Sequence, residues 1–320
     1  MSTVLLATAL AAIILREKAD GTRGNGLKQS AWQPLCKISE ELNKVGPNAA
    51  ARLSKIATTA EDQSNTADRL TAFAMLTPDV NEAKKAVALA GLFRQLATEN
   101  LQSLSGQRAT KTAINAVAEN SYNKGRIDEA LTILGLAKNG GNGCLVQASD
   151  NNVATVAGNT IGGVQCSRKL TPPATKGYTD YDNIIGPEGW LTAHATTGNT
   201  DLSDTTGNKQ CVPLKTHTNG LAAGDIGAEL PLAHGLLTVI NTDSGIKTVT
   251  ATKGETTRTT RGNQWQSAYH GLKEIEALES AIATNVTENA ENQGAHQEVI
   301  NRAHTNKDEL PASKPENLVL

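Results

Sequence analysis

The chain has 320 residues, a net charge of −2 and only 3% aromatic residues. That charge balance leaves no electrostatic footprint for a polyanion, so no nucleic-acid partner is expected. With 2 Phe, 3 Trp and 4 Tyr a bulky globular core is excluded, whereas long helices meeting along a narrow seam need only Leu, Ile, Val and Ala.

The chain opens on Val4 to Leu15, an unbroken run of apolar or small residues followed by Arg16-Glu17-Lys18. A membrane-spanning helix needs about 20 apolar residues. The shorter run fits the apolar core of a secretory signal peptide, with residues 1–25 as leader and cleavage region. Beyond it lie Cys36, Cys144, Cys166 and Cys211. In an oxidising compartment an even count at wide spacing reads as two disulfides, and four cysteines allow three connectivities. The absence of a CxxC pair argues against a zinc or redox site.

From Lys28 to Leu76 the residues Leu35, Ile38, Leu42, Val45, Ala49, Leu53, Ile56, Ala60, Gln63, Ala67, Leu70 and Ala74 follow one another by threes and fours. This heptad-like stripe predicts a helix, kinked at Gly46-Pro47. Pro78 ends the pattern and Asp79 is placed to cap the next helix. A second helical segment is expected from Val80 to Lys138, its stripe carried by Val87, Leu92 or Phe93, Leu96, Leu101, Leu104, Ile114, Val117, Ile127, Leu131 and Leu134. The glycines of Asn139 to Gly143 end it. Two such segments joined by a short turn make an antiparallel hairpin, with arms of about 70–85 Å.

From residue 139 to 263 Gly, Thr, Asn and Asp cluster, and the runs Leu236–Ile240 and Ile246–Thr252 read as short strands. Helical pattern returns over about 264–303, with Leu272, Ile275, Leu278 and Ile282 on one stripe. Residues 307–320, carrying Pro311 and Pro315, read as a linker or truncated end. The fold class expected is therefore mainly α: a long, coiled-coil-like helical hairpin over 28–138 with a disulfide-tied, loop-rich region of short strands and helices. Asn285-Val286-Thr287 is a sequon, so Asn285 is expected to carry an N-linked glycan.

The histidines at 194, 217, 234, 270, 296 and 304 have no metal-ligand spacing, and Asp180, Asp182, Asp201 and Asp204 lack the calcium-loop pattern. The glycines around Gly162-Gly163 match neither phosphate-binding fingerprint, and no nucleophile elbow occurs. No catalytic residue, metal or cofactor is expected, and the chain is read as a non-enzyme.

Four blocks carry a resemblance: Gly26-Leu27-Lys28-Gln29-Ser30-Ala31-Trp32-Gln33-Pro34-Leu35-Cys36-Lys37-Ile38-Ser39-Glu40-Glu41-Leu42, then Ser121-Tyr122-Asn123-Lys124-Gly125-Arg126-Ile127-Asp128-Glu129, then Gly158-Asn159-Thr160-Ile161-Gly162-Gly163-Val164-Gln165-Cys166, then His217-Thr218-Asn219-Gly220-Leu221. In order and spacing they resemble the class A amino-terminal domain of the trypanosome variant surface glycoproteins, over roughly residues 26–240, and the match weakens after Gln264. The resemblance implies a domain over 26–306 and the disulfides Cys36–Cys166 and Cys144–Cys211. It further implies a homodimer on the extracellular face of the plasma membrane, carried by a GPI anchor in the intact protein and met there by host antibodies. The expected role is an antigenically variable coat that shields the membrane sterically and evades host immunity. The alternative is a family-derived binder of a host serum protein, of the serum-resistance-associated type, or a receptor for a host nutrient carrier.

Overall fold

The computed structural model describes residues 24–105, 108–148, 152–172, 185–186, 189–190, 209–215, 220–221, 226–240, 246–248 and 265–278. Residues 1–23, where a leader is expected, and the stretch 279–320, Asn285 included, lie outside the described residues. The chain forms two compact units. One comprises Met1–Asn48, Ala116–Pro173 and Tyr178–Leu272; the other comprises Ala49–Asn115, Ala174–Gly177 and Lys273–Leu320.

Four long helices dominate: α1 (Gln29–Leu42), α2 (Val45–Leu76), α3 (Val80–Ser105) and α4 (Arg108–Leu136). A fifth, α5, covers 265–278. The first break falls at Asn43-Lys44 and not at Gly46-Pro47. Pro47 lies in the first turn of α2, where a missing N–H leaves no intrahelical bond unmade. Asp79 caps α3 through Oδ1, which accepts the N–H groups of Asn81 at 2.8 Å and Glu82 at 3.2 Å. The expected second arm is two helices, interrupted between Ser105 and Arg108. Thr110 Oγ1 donates to the Leu104 carbonyl at 2.9 Å across this break, satisfying an acceptor that the end of α3 leaves without a helical partner.

Within the second unit α2 and α3 run antiparallel. Ala67, Leu70 and Phe73 pack against Ala86, Leu89 and Ala90. Arg94 reaches Asp68 at 3.3 Å, and Asn100 donates to Gln63 Oε1 at 2.9 Å. The apparent flaw in the α2 stripe, Gln63, is thus buried with a polar partner opposite. The stripe expected along α3 and α4 was set partly one position off. Val87, Leu101 and Ile114 are exposed, while Ala86, Ala90, Ala97, Ala109, Ala113 and Ala116 are buried. Alanine brings helix backbones close, so the smaller residue takes the seam and the larger one faces out.

The first unit gathers short antiparallel pieces around α1 and α4. A hairpin of β1 (Lys138–Asn139) and β2 (Asn142–Gly143) follows α4. A meander follows: β3 (Val156–Ala157), β4 (Thr160–Ile161) and β5 (Val164–Gln165). Its turns explain the third sequence block. Gly158 has φ +54° at the first turn position, and Gly162 and Gly163 both have positive φ, as two-residue hairpins demand. Beyond β6 (Ile185–Gly186) and β7 (Gly189–Trp190), a second meander pairs β8 (Leu230–Leu232), β9 (Leu237–Val239) and β10 (Ile246–Thr248). The strands read from Leu236–Ile240 and Ile246–Thr252 correspond to β9 and β10; β8 escaped because Pro231 sits in it.

Candidate functional site

Three of the four sequence blocks converge on one buried cluster in the first unit. Its centre is Lys124 on α4, 1% exposed. An ammonium has three donors, and Lys124 uses all of them at 2.8 Å: on Asp128 Oδ2, on Ser39 Oγ of α1 and on the Ser167 carbonyl after β5. Ser39 Oγ in turn donates to Asp128 Oδ1. Glu40 accepts the Ser167 backbone N–H and the Gln165 side-chain amide, the latter at 3.4 Å. Lys124 and Asp128 lie one helical turn apart, so α4 presents both charges on one face. Such a pair persists in a desolvated place only because each charge has hydrogen-bonding partners.

One disulfide borders this cluster, and the second lies elsewhere in the same unit. Cys36 pairs with Cys166, one turn before Ser39 and one residue before Ser167, with Cα atoms 4.9 Å apart. Cys144 pairs with Cys211, with Cα atoms 4.7 Å apart. The segment 24–27 makes hydrogen bonds to both neighbourhoods of this second bridge. Gly26 N donates to the Lys209 carbonyl and Leu27 N to the Cys144 carbonyl, both at 2.7 Å. A Cβ on Gly26 would lie 2.4 Å from the Gly143 carbonyl oxygen, so only glycine permits this approach. Trp32, fully buried, donates its indole N–H to the Val146 carbonyl at 3.0 Å and ties α1 to the segment that follows Cys144.

Sequence reasoning named the cysteines but missed Lys124, Asp128, Ser39 and Glu40 as a unit. The signal available was Lys124 with Asp128 at i, i+4 inside a block otherwise read for resemblance alone. Of the fourth block only Gly220 and Leu221 are described, and Leu221 N donates to the Lys215 carbonyl at 3.2 Å. Among the described residues no group of three or more potential metal ligands occurs, and no helix is long and apolar enough to cross a membrane.

Long helices with short strands, two disulfides and a buried ion pair define a disulfide-stabilised helical protein. The family described as trypanosome variant surface glycoprotein (A-type) matches residues 7–320, and the chain belongs to that family. It is 32% identical over 290 residues to variant surface glycoprotein MITAT 1.2 of Trypanosoma brucei brucei, covering 89% of this chain and 60% of that protein. It is 26% identical over 222 residues to variant surface glycoprotein MITAT 1.1 of the same organism, covering 68% of this chain and 44% of that protein. The chain thus spans about three fifths or less of the length of these relatives. The solved structure of MITat 1.1 superposes with a TM-score of 0.67 at 24% identity, over 78% of this chain and 69% of that one, a likeness of fold.

Proposed function

We propose that the intact protein is an antigenically variable coat glycoprotein of the trypanosome surface. Membership of the A-type family carries this reading. The curated relatives found are variant surface glycoproteins, which favours a coat over the serum-factor binder or nutrient receptor. The physical task is steric: a closely set layer of such molecules keeps antibodies from the membrane beneath. Stability can then reside in apolar seams and disulfides while exposed loops vary.

The proposal includes a homodimer, a GPI anchor on the intact protein and an N-linked glycan at Asn285. Tyr122, Ile133 and Leu136, 53%, 54% and 64% exposed, share the outward face of α4 with the Arg126–Glu129 ion pair, and this mixed face is the contact surface proposed for a second copy. The decisive experiment expresses the intact protein in trypanosomes. Antibody raised to the 320-residue chain should label live, unpermeabilised cells, and a phosphatidylinositol-specific phospholipase should release the label. Staining confined to permeabilised cells would overturn the coat reading, while surface label resistant to the lipase would overturn the anchor alone.

A further inference from the structure

The two disulfides pose a pairing problem that chain statistics alone answer wrongly. Cys36 and Cys166 are separated by 130 positions, while Cys144 and Cys166 are only 22 apart (144 to 166). For a flexible chain the probability of closure falls as roughly the three-halves power of loop length, so the shorter pair meets about 14-fold more often. The folded protein nevertheless joins Cys36 to Cys166. Something other than proximity along the chain must bring them together.

The buried cluster is placed to do so without the sulfur–sulfur bond. Lys124 binds Ser39, three residues after Cys36 on the same helix, and Ser167, adjacent to Cys166. Glu40 adds a second link, from α1 to the Ser167 backbone. Each cysteine is thus flanked, within one helical turn, by a residue bound to the same charged tripod. We propose that the Lys124–Asp128–Ser39 clasp assembles in the reduced chain, gathers the Ser167 strand end onto α1, and so selects the Cys36–Cys166 pairing. The inference stands apart from the coat reading and concerns folding in any oxidising compartment.

The chemistry is thiol–disulfide exchange with a small disulfide oxidant such as oxidised glutathione. One cysteine of the pair first exchanges with it, forming a mixed disulfide and releasing one glutathione thiolate. The thiolate of the other cysteine then attacks the protein sulfur of that mixed disulfide. The Cys36–Cys166 bond forms, the second glutathione leaves as thiolate, and both leaving groups take up the protons lost by the cysteines. The pair loses two electrons and the oxidant gains them. The clasp contributes no electrons; it sets which two sulfurs are neighbours.

The test dilutes the reduced, denatured 320-residue chain into a denaturant-free glutathione redox mixture, traps free thiols by alkylation at early times and maps bridges under non-reducing conditions. The wild-type chain should accumulate Cys36–Cys166 as its main early bridge to Cys166. In Lys124→Met/Asp128→Leu, which substitutes apolar groups of similar size for both charges, Cys144–Cys166 should rise at least about 5-fold, towards the loop-length expectation. Equal early pairing in both chains would overturn the proposal. The Cys36→Ala/Cys166→Ala chain supplies a second reading that does not depend on recovery of the charge variant. With helical content matched to the wild type, Lys124 should stay protected from amine acetylation; full reactivity would show that the clasp follows the disulfide and would equally overturn the proposal.

Discussion

Lys124 faces a carboxylate on its own helix and Arg94 faces one across the α2–α3 seam, and their surroundings give the two pairs different weights. The Arg94–Asp68 pair is solvated, with side chains 55% and 66% exposed, and Arg94→Ala should cost at most about 1 kcal/mol. Lys124→Ala leaves Asp128 buried without its counter-ion and removes the donors to Ser39 and Ser167. It should cost about 3–5 kcal/mol, read as a lowered denaturant midpoint with both disulfides intact. Lys124→Met/Asp128→Leu should lose much less than the single variant, because no unpaired charge remains. Equal losses for Lys124→Ala and Arg94→Ala would mean that the buried pair is hydrated in solution. The cluster was hardly legible beforehand. A lysine inside a helical block is ordinarily a solvated residue, and only the three-dimensional approach of Ser39 and Ser167 turns it inward.

At the scale of the elements, the seam was legible in its period and less so in its phase. Along α2 most stripe positions are buried, with Phe73 taking the seam in place of its neighbour Ala74. At Val87 and Ile114 the pattern offered a larger residue beside an alanine, and choosing by size set the phase wrongly there. Close helix packing rewards the smaller side chain, a preference that hydrophobicity alone does not encode. Gly271 on α5 shows the limit of this closeness within the first unit: a Cβ there would lie 2.9 Å from Ala116 Cβ and 3.1 Å from Ala116 Cα. Gly271→Val should therefore force the helices apart and destabilise by about 1–3 kcal/mol. Gly125 on α4 has open space around it, and Gly125→Ala should stabilise by about 0.4–1 kcal/mol through the unfolded chain. Thermal unfolding of the two variants beside the wild type checks both signs at once.

For the whole molecule, both covalent bridges lie in the first unit, together with the fully buried Trp32 and the buried Trp265. The second unit relies, among its described residues, on the α2–α3 seam. Bridges separated by 67 and 130 positions each restrict the unfolded chain by about 4–5 kcal/mol in the loop-entropy description. Cys144→Ala/Cys211→Ala should lower stability by that order, measured by denaturant titration. Reduction under otherwise native conditions should shift tryptophan emission to the red, as buried indoles become hydrated. Unchanged emission would show that packing alone keeps the first unit closed. The distribution of helices and loops was legible because glycine and proline punctuate it strongly. The partition into two units was not, since the first draws on segments far apart along the chain.

That wide reach has a consequence for how the protein is made. Residues 24–27 are among the first of the described chain to emerge, yet their hydrogen bonds go to Cys144 and to Lys209. At a synthesis rate of about 5–20 residues per second, the later partner follows by roughly 10–40 s. Throughout that interval Leu27 and Trp32, both destined for full burial, have no complete place to go. The amino-terminal end of this protein must therefore be held open during translation, and it acquires its final neighbours only when the ribosome is nearly two hundred codons further along.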